Sequence, residues 1–226
     1  MIIYLVRHGE SINNVQEIFP DDDQAEYSLT PEGIKQAQLT GGYLSLVKAD
    51  LLISSPVKRA SQTAQIISEK IGKKIIFDDR LREAGLGNLR GKDWRQLVSK
   101  EPEWYKEYFS VTSKYGIEKY SSIQKRMLMA LQDFSDNHSI IMVSHLEPIR
   151  SLIAISLGIS GEEARKIKIS NASVSVLKLE NPNGLETITI NWLPMERYGS
   201  SEPERFTGQI PSEKARGFRG ISYLQL

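Results

Sequence analysis

Short apolar runs that alternate with helical patterns are the feature that most limits the fold of this chain. IIYLV (2–6), DLLISS (50–55), KKIIFDD (73–79) and SIIMVS (139–144) have the length and β-branched content of strands. Their apolar residues are continuous, which is typical of parallel strands buried on both faces. We therefore predict an α/β protein: a three-layer α/β/α sandwich with a mostly parallel central sheet.

Helix signals lie between these runs. Thr30 and Pro31 predict a helix start within 28–47, and the segment 56–72 begins with proline and ends with glycine. Apolar spacing or a glycine stop predicts further helices at 102–111, 121–135 and 148–158. Two alternating segments, 172–180 and 185–193, are separated by NPNG and predict a hairpin.

The chain of 226 residues suits one large domain with an appendage. We expect this domain at residues 1–193, with a helical insertion at about 92–136. Residues 194–226 are rich in Gly, Pro, Ser, Glu and Arg without a sustained period, which predicts a mostly irregular C-terminal tail packed on the domain. The tail could fold back towards the site or onto a second subunit, so a homodimer stays open.

Composition excludes several function classes. The formal net charge of +1 gives no general support for nucleic-acid binding. The absence of cysteine excludes disulfides, thiolate nucleophiles and cysteine metal sites. No apolar run approaches the ~18–20 residues that span a bilayer, and MIIYLV is too short for a secretory signal core. We therefore expect a cytoplasmic protein with neither nucleic acid nor membrane as a partner.

Arginine and histidine follow three of the predicted strands. Arg7 and His8 come after the first strand, Arg59 lies shortly after the second, and His145 follows the run at 139–144. The carboxyl ends of parallel strands meet at one edge of the sheet, where ligands bind. We therefore expect these four side chains to form one cluster.

This combination of side chains suits a phosphoryl group. Guanidinium groups offer planar forks of donors that fit phosphate oxygens. A neutral imidazole can attack phosphorus if its other nitrogen holds a proton against an acceptor. The sequence thus predicts a phosphoryl pocket with a histidine placed to attack its ligand.

Four segments carry a resemblance to a known family. They are RHGES (7–11) followed by Asn14, SPVKRASQTA (55–64), LREAGLGNLRG (81–91) and VSHLEPIR (143–150). In this order they resemble the histidine phosphatase superfamily, also called phosphoglycerate mutase-like. The resemblance implies that fold, a small phosphate ester as the substrate, and Asn14 as a hydrogen-bond donor to its phosphate.

The resemblance also implies the other site roles. His8 would attack phosphorus and become a phosphohistidine, while Arg7, Arg59 and His145 hold the phosphoryl oxygens. Glu83 would protonate the leaving oxygen and later take a proton from water. No metal and no other cofactor is implied.

Two stretches depart from the family pattern. Leu146 and Glu147 stand where many relatives have small residues, so a carboxylate lies near the phosphate pocket unless it turns away or pairs with an arginine such as Arg150. The acidic run 21–23 either argues against a highly anionic substrate or pairs with lysines elsewhere.

Three functions remain open at this point. The first is a metal-independent phosphatase, a phosphoric monoester hydrolase acting through a phosphohistidine. The second is a cofactor-dependent phosphoglycerate mutase, an isomerase. Mutase relatives tend to carry Glu-Arg-x-Tyr-Gly at the acid, which LREAGLG lacks. The third is a non-catalytic phosphate-binding module, which would not need a general acid such as Glu83.

Overall fold

The computed structural model describes residues 1–22, 26–110, 112–181 and 184–194. Within these ranges six strands form one sheet in the order β3-β2-β4-β1-β5-β6. Strands β1 to β4 are mutually parallel, and β5 runs antiparallel to β1 and β6. The strands are β1 (Ile2–Arg7), β2 (Leu51–Ser54), β3 (Ile75–Phe77), β4 (Ser139–Ser144), β5 (Val174–Asn181) and β6 (Gly184–Trp192).

The main helices begin and end as local sequence signals predict. Pro31 is the first residue of α2, and the Thr30 hydroxyl oxygen accepts the Gly33 N–H at 3.0 Å. Helix α3 ends before Gly72, whose φ of 67° is left-handed. The helices are α1 (Ile12–Gln16), α2 (Pro31–Leu44), α3 (Lys58–Ile71), α4 (Trp94–Lys100), α5 (Tyr120–Asp133), α6 (Leu146–Leu157) and α7 (Gly161–Ala164).

The sheet is buried on both faces. In β4, Ile140 and Met142 pack in a core that includes residues of α5 and α6. The alternate residues Ile141 and Val143 pack in a second core with residues of α2 and α3. Side chains of successive strand residues point to opposite faces, so β4 serves both cores. The predicted three-layer α/β/α fold with a largely parallel sheet is confirmed.

The segment after β3 differs from the prediction. The expected helix at 102–111 is instead a short 3₁₀ helix, Trp104–Tyr108, and α4 precedes it. Its aromatic rings pack against separate neighbours: the Trp104 and Phe19 ring centroids are 5.1 Å apart. Short 3₁₀ helices are frequent in connecting segments, and this one links α4 to the segment before α5. Helices α1, α4 and α7 were not predicted, and β3 is shorter than the run 73–79.

The predicted domain boundary at 193/194 stays a prediction, because residues 195–226 lie outside the described ranges. The same holds for the expected tail packed on the domain. The helices of the described ranges include none that is both long and apolar enough to cross a membrane.

Candidate active site

Three parallel strands end side by side and carry the site. β4 lies between β1 and β2, and ladder hydrogen bonds continue past the strand ends. The His8 N–H donates to the Ser144 carbonyl at 3.0 Å, and the Ser55 N–H donates to the Val143 carbonyl at 2.9 Å. The ring centroids of His8 and His145 are 5.1 Å apart. Strand register therefore brings the two predicted histidines together.

Two hydrogen bonds fix the orientation and tautomer of His8, which is only 2% exposed. Its Nδ1 lies 2.7 Å from the Gly9 carbonyl oxygen and must carry a proton to donate to it. Its Nε2 accepts the Arg59 Nε–H at 3.2 Å. Burial, and then the cations of Arg59 and Arg7, hold the pKa of His8 well below its usual value. His8 is therefore a neutral imidazole with its lone pair on Nε2.

The loop after β1 depends on close packing at Gly9. The Gly9 N–H donates to the Thr63 hydroxyl at 3.1 Å. A Cβ atom on Gly9 would lie 2.5 Å from the Gly33 carbonyl oxygen, so a larger residue would force this loop away from α2. The glycine after His8 thus allows the N-terminal turn of α2 to lie directly against the loop.

His145 is fully buried at the start of α6. Its Nε2 lies 2.8 Å from the Ser55 hydroxyl oxygen, which accepts the Val57 N–H at 3.3 Å. If the Ser55 hydroxyl donates its proton to Nε2, the proton of the neutral ring lies on Nδ1. Nδ1 is buried and has no partner among the described residues. Burial, followed by the Arg59 cation, holds the pKa of His145 well below its usual value.

Arg59 is buried, with 1% of its surface exposed, and it is held by two groups. Its Nε faces His8, and its Nη1 and Nη2 donate to the two carboxylate oxygens of Asp22 at 2.5 and 3.1 Å. Asp22 of the acidic run therefore pairs with this arginine and not with a lysine. Asp23 lies outside the described residues. A carboxylate thus covers the fork of donors that fits phosphate.

Arg7 approaches the site from the side of β5. Its Nη1 donates to the Ile169 carbonyl at 2.7 Å, and its Nε is buried without a partner in the described ranges. Burial lowers the pKa of Arg7 to about 10, so it remains a cation at neutral pH. Arg7 also lines a cavity of about 620 Å³ together with Arg150, Lys168 and Asn171.

Asn14 is held in place by Asn171, a residue that was not predicted from the sequence to belong to the site. Its Oδ1 accepts the Ser11 N–H and the Asn171 Nδ2–H, each at 3.2 Å. Asn171 Nδ2 also lies 3.2 Å from the His8 carbonyl oxygen. Asn171 precedes the antiparallel strand β5, and the start of such a strand reaches the same sheet edge where parallel strands end. A rule that considers only the ends of parallel strands therefore misses it. Ser55 does lie at such an end, directly after β2, but its contact with His145 was not predicted.

Glu83 lies at the N-terminus of α6, although it comes from an irregular segment far away in sequence. One carboxylate oxygen accepts the Ala84 N–H at 2.9 Å and the Glu147 N–H at 3.2 Å. The other accepts the Leu146 N–H at 3.2 Å. The negative charge of Glu147 adds to burial, the largest cause, in raising the pKa of Glu83. A carboxyl group with a raised pKa can donate a proton near neutral pH.

The carboxylate of Glu147 pairs with arginines. The sequence left two arrangements open, turning away from the pocket or pairing with an arginine such as Arg150, and the second is observed. Its carboxylate lies 2.9 Å from Arg150 Nη1 and 3.7 Å from Arg165 Nη1. The side chain is buried at 6% residue exposure. The two arginines offset the cost of burying this charge beside the site.

The structure thus brings Arg7, His8, Arg59, Glu83 and His145 close enough to act on one another, and Asn171 links Asn14 to the backbone of His8. The described residues contain no group of three His, Asp or Glu side chains placed to hold a metal ion. What they offer is a neutral imidazole lone pair, two guanidinium groups, a buried ring N–H and a carboxyl group with a raised pKa. Such a set can bind a tetrahedral anion and exchange a proton with it.

Comparisons with known proteins identify the family. Residues 3–191 match the model of the histidine phosphatase superfamily (branch 1), and the chain belongs to this superfamily. A 2,3-bisphosphoglycerate-dependent phosphoglycerate mutase of Thermoplasma acidophilum is 36% identical over 181 residues, which cover 79% of this chain and 88% of that protein.

Solved structures show the same fold. A mycobacterial glucosyl-3-phosphoglycerate phosphatase in complex with VO3 aligns with a TM-score of 0.75 and 22% identity, over 84% of this chain and 99% of that chain. A phosphoserine phosphatase mutant of Entamoeba histolytica in complex with phosphoserine aligns with a TM-score of 0.71 and 23% identity, over 84% and 96% of the two chains.

Proposed function

We propose that this protein is a metal-independent phosphatase that hydrolyses a small phosphate monoester through a phosphohistidine on His8. The observation that carries the proposal is the fixed His8 tautomer: Nδ1–H donates to the Gly9 carbonyl, and the Nε2 lone pair faces Arg59. This nitrogen is the one that would attack. A substrate phosphate would replace Asp22 on Arg59 and would find two further unpaired donors, Arg7 Nε–H and His145 Nδ1–H.

The reaction would take two balanced steps. In the first, the His8 Nε2 lone pair forms a bond to phosphorus, the bond from phosphorus to the ester oxygen breaks, and that oxygen takes the proton of Glu83. In the second, the Glu83 carboxylate takes a proton from water, and the water oxygen bonds to phosphorus. The N–P bond pair then returns to Nε2, inorganic phosphate leaves, and Glu83 is protonated again. Arg7 and Arg59 would stabilise the charge on the phosphoryl oxygens in both steps.

Hydrolysis is favoured over mutase activity by the residues around the acid. Ala84 and Leu86 stand where mutase relatives tend to carry arginine and tyrosine, and both are buried in the core, at 4% and 6% exposure. They offer no polar group to a substrate. The second candidate is a phosphoglycerate mutase that uses the same His8 and Glu83. It is favoured by the name of the Thermoplasma acidophilum relative at 36% identity.

The two candidates predict different products from the same protein. Protein treated with EDTA would be incubated with p-nitrophenyl phosphate and β-glycerophosphate, and separately with 3-phosphoglycerate plus a trace of 2,3-bisphosphoglycerate. We expect release of inorganic phosphate from the esters and an acid-labile phosphoprotein intermediate. Interconversion of phosphoglycerates without release of phosphate would instead support the mutase.

The nucleophile is tested with a matched pair of histidine variants. His8→Asn is expected to lose turnover by at least about 10³-fold, because the attacking lone pair is gone. His138→Asn changes an exposed histidine outside the site and should retain wild-type turnover. Turnover or phosphoprotein formation that survives in His8→Asn would refute the proposed function.

A further inference from the structure

Glu147 has a buried carboxylate, and its backbone amide contacts the carboxyl group of Glu83. Its N–H donates to Glu83 at 3.2 Å from the first turn of α6. Its own side chain is 8% exposed and turns to Arg150 and Arg165. The proposed chemistry does not use this carboxylate, although burying a charge there is costly.

We propose that Glu147 is a positioning residue for the proton donor: its backbone amide orients the Glu83 carboxyl group, and its negative charge keeps that group in the protonated, donating form. This inference rests on the proposed function, because it concerns the proton that Glu83 gives to the leaving oxygen. It goes further because the proposed chemistry gives the Glu147 side chain no role.

The charges around Glu83 act in opposite directions. Burial is the largest cause that raises the pKa of Glu83, and the charge of Glu147 comes next. The cations of Arg59 and Arg7, together with the Ala84 N–H, lower it. Without the charge of Glu147, only burial would raise the pKa of Glu83 against the two arginines of the phosphoryl pocket, which lower it.

Two side chains from other elements also lie near Glu83: Arg126, which contacts its backbone carbonyl, and Tyr108, whose phenol is neutral. Arg126 of α5 donates from Nη2 to the Glu83 carbonyl oxygen at 3.3 Å, and to Glu118 through Nε and Nη2. Tyr108 is buried near both carboxylates; burial, followed by the charges of Glu147 and Glu83, raises its pKa well above its usual value, so its phenol stays neutral. Among the charges that act on the pKa of Glu83, that of Glu147 is therefore the largest one that raises it.

Arg150 and Arg165 give Glu147 a fixed place. Arg150 is anchored by its Nε, which donates to the Ile167 carbonyl at 3.1 Å. The Arg165 guanidinium stacks over Tyr105 at 4.5 Å and over Trp104 at 5.3 Å from the ring centroids. Replacing Glu147 by glutamine keeps the backbone amide and an oxygen for Arg150, so this change removes mainly the charge.

The test is the pH dependence of kcat/KM for two esters with different leaving groups. β-Glycerophosphate needs a proton on its alkoxide leaving group, whereas p-nitrophenolate leaves without one. In Glu147→Gln the pKa of Glu83 should fall, so the alkaline limb for β-glycerophosphate should move to lower pH by about one unit. The profile for p-nitrophenyl phosphate should move little.

Three further variants control the result. Glu147→Asp keeps the charge and should keep the alkaline limb near its wild-type position. Glu118→Gln removes another partly buried, arginine-paired carboxylate and should leave the limb in place. Arg165→Gln removes a cation paired with Glu147 and should move the limb to higher pH, which also tests the inference if Glu147→Gln does not fold.

The outcomes separate this inference from the proposed function. A limb that stays in place in Glu147→Gln and Arg165→Gln overturns the inference while the phosphatase proposal stands. Equal losses of rate for both esters, without a shift in pH, assign Glu147 a merely structural role and also overturn it. A wild-type protein that hydrolyses neither ester overturns the proposed function and this inference together.

Discussion

The two sides of the site are built in different ways. His8, Ser55 and His145 follow the adjacent parallel strands β1, β2 and β4, and their positions continue the hydrogen-bond ladder of the sheet. Asp22 and Glu83 lie in segments without regular structure and are held by a few bonds to other parts of the chain.

The irregular segments that carry Asp22 and Glu83 are nevertheless anchored by hydrogen bonds. Ahead of Asp22, the Phe19 N–H donates to the Lys92 carbonyl at 2.8 Å, and the Gly91 N–H donates to the Phe19 carbonyl at 2.9 Å. Glu83 is anchored by the first amides of α6. The comparison indicates that the sheet fixes His8 and His145, while loops supply Glu83, the proposed proton donor, and Asp22, which covers Arg59. Loops can move with less loss of stability than strands.

The largest effect is expected on the irregular side, at the proton donor. Glu83→Gln should lower kcat/KM for β-glycerophosphate by about 10²–10⁴-fold, because the alkoxide would leave without a proton. The loss with p-nitrophenyl phosphate should be much smaller, and vanadate affinity should change little. Steady-state kinetics with both esters measures this, and unchanged turnover of the alkyl ester would exclude Glu83 as the acid.

A smaller effect is expected on the strand side. Ser55→Ala removes the hydroxyl that holds His145 Nε2, so the Nδ1 donor should lose its fixed orientation and the rate should fall about tenfold. Ser54→Ala is the matched control, because that buried hydroxyl donates to the Ser55 carbonyl at 2.9 Å and contacts neither histidine. If both serine variants lose rate equally, the strand end does not orient His145 as inferred.

The smallest effect is expected at Asp22, the residue that covers Arg59. Here the substitution should strengthen a property, the affinity for an anion, and not weaken one. Asp22→Asn keeps the size of the side chain but removes the charge that competes for Arg59. Inhibition by vanadate or phosphate should therefore become tighter, by a few-fold up to about tenfold. Asp21→Asn, in the same segment, is the control. Weaker inhibition in Asp22→Asn would mean that Asp22 supports anion binding and does not compete with it.

The prediction from sequence succeeded where chemistry follows regular structure. Arg7, His8 and His145 stand next to strands whose apolar runs identify them, so the sheet-edge rule places them correctly. It failed where a residue is positioned by contacts that a local pattern cannot show. The Ala172 N–H donates to the His8 carbonyl at 3.1 Å, and this contact brings Asn171 into the site from more than 160 positions away.

By itself, the sequence determined the main strands and helices of a three-layer α/β/α fold with a largely parallel sheet, and the cluster of Arg7, His8, Arg59 and His145. These follow from side-chain periodicity and from the geometry of parallel strands, which act along the chain or between neighbouring strands. Only the tertiary structure decided that Asp22 covers Arg59, that Ser55 orients His145, and that Glu147 stands beside Glu83 with two arginines. Such pairings depend on how irregular segments pack across large sequence distances, where no local period specifies the partner.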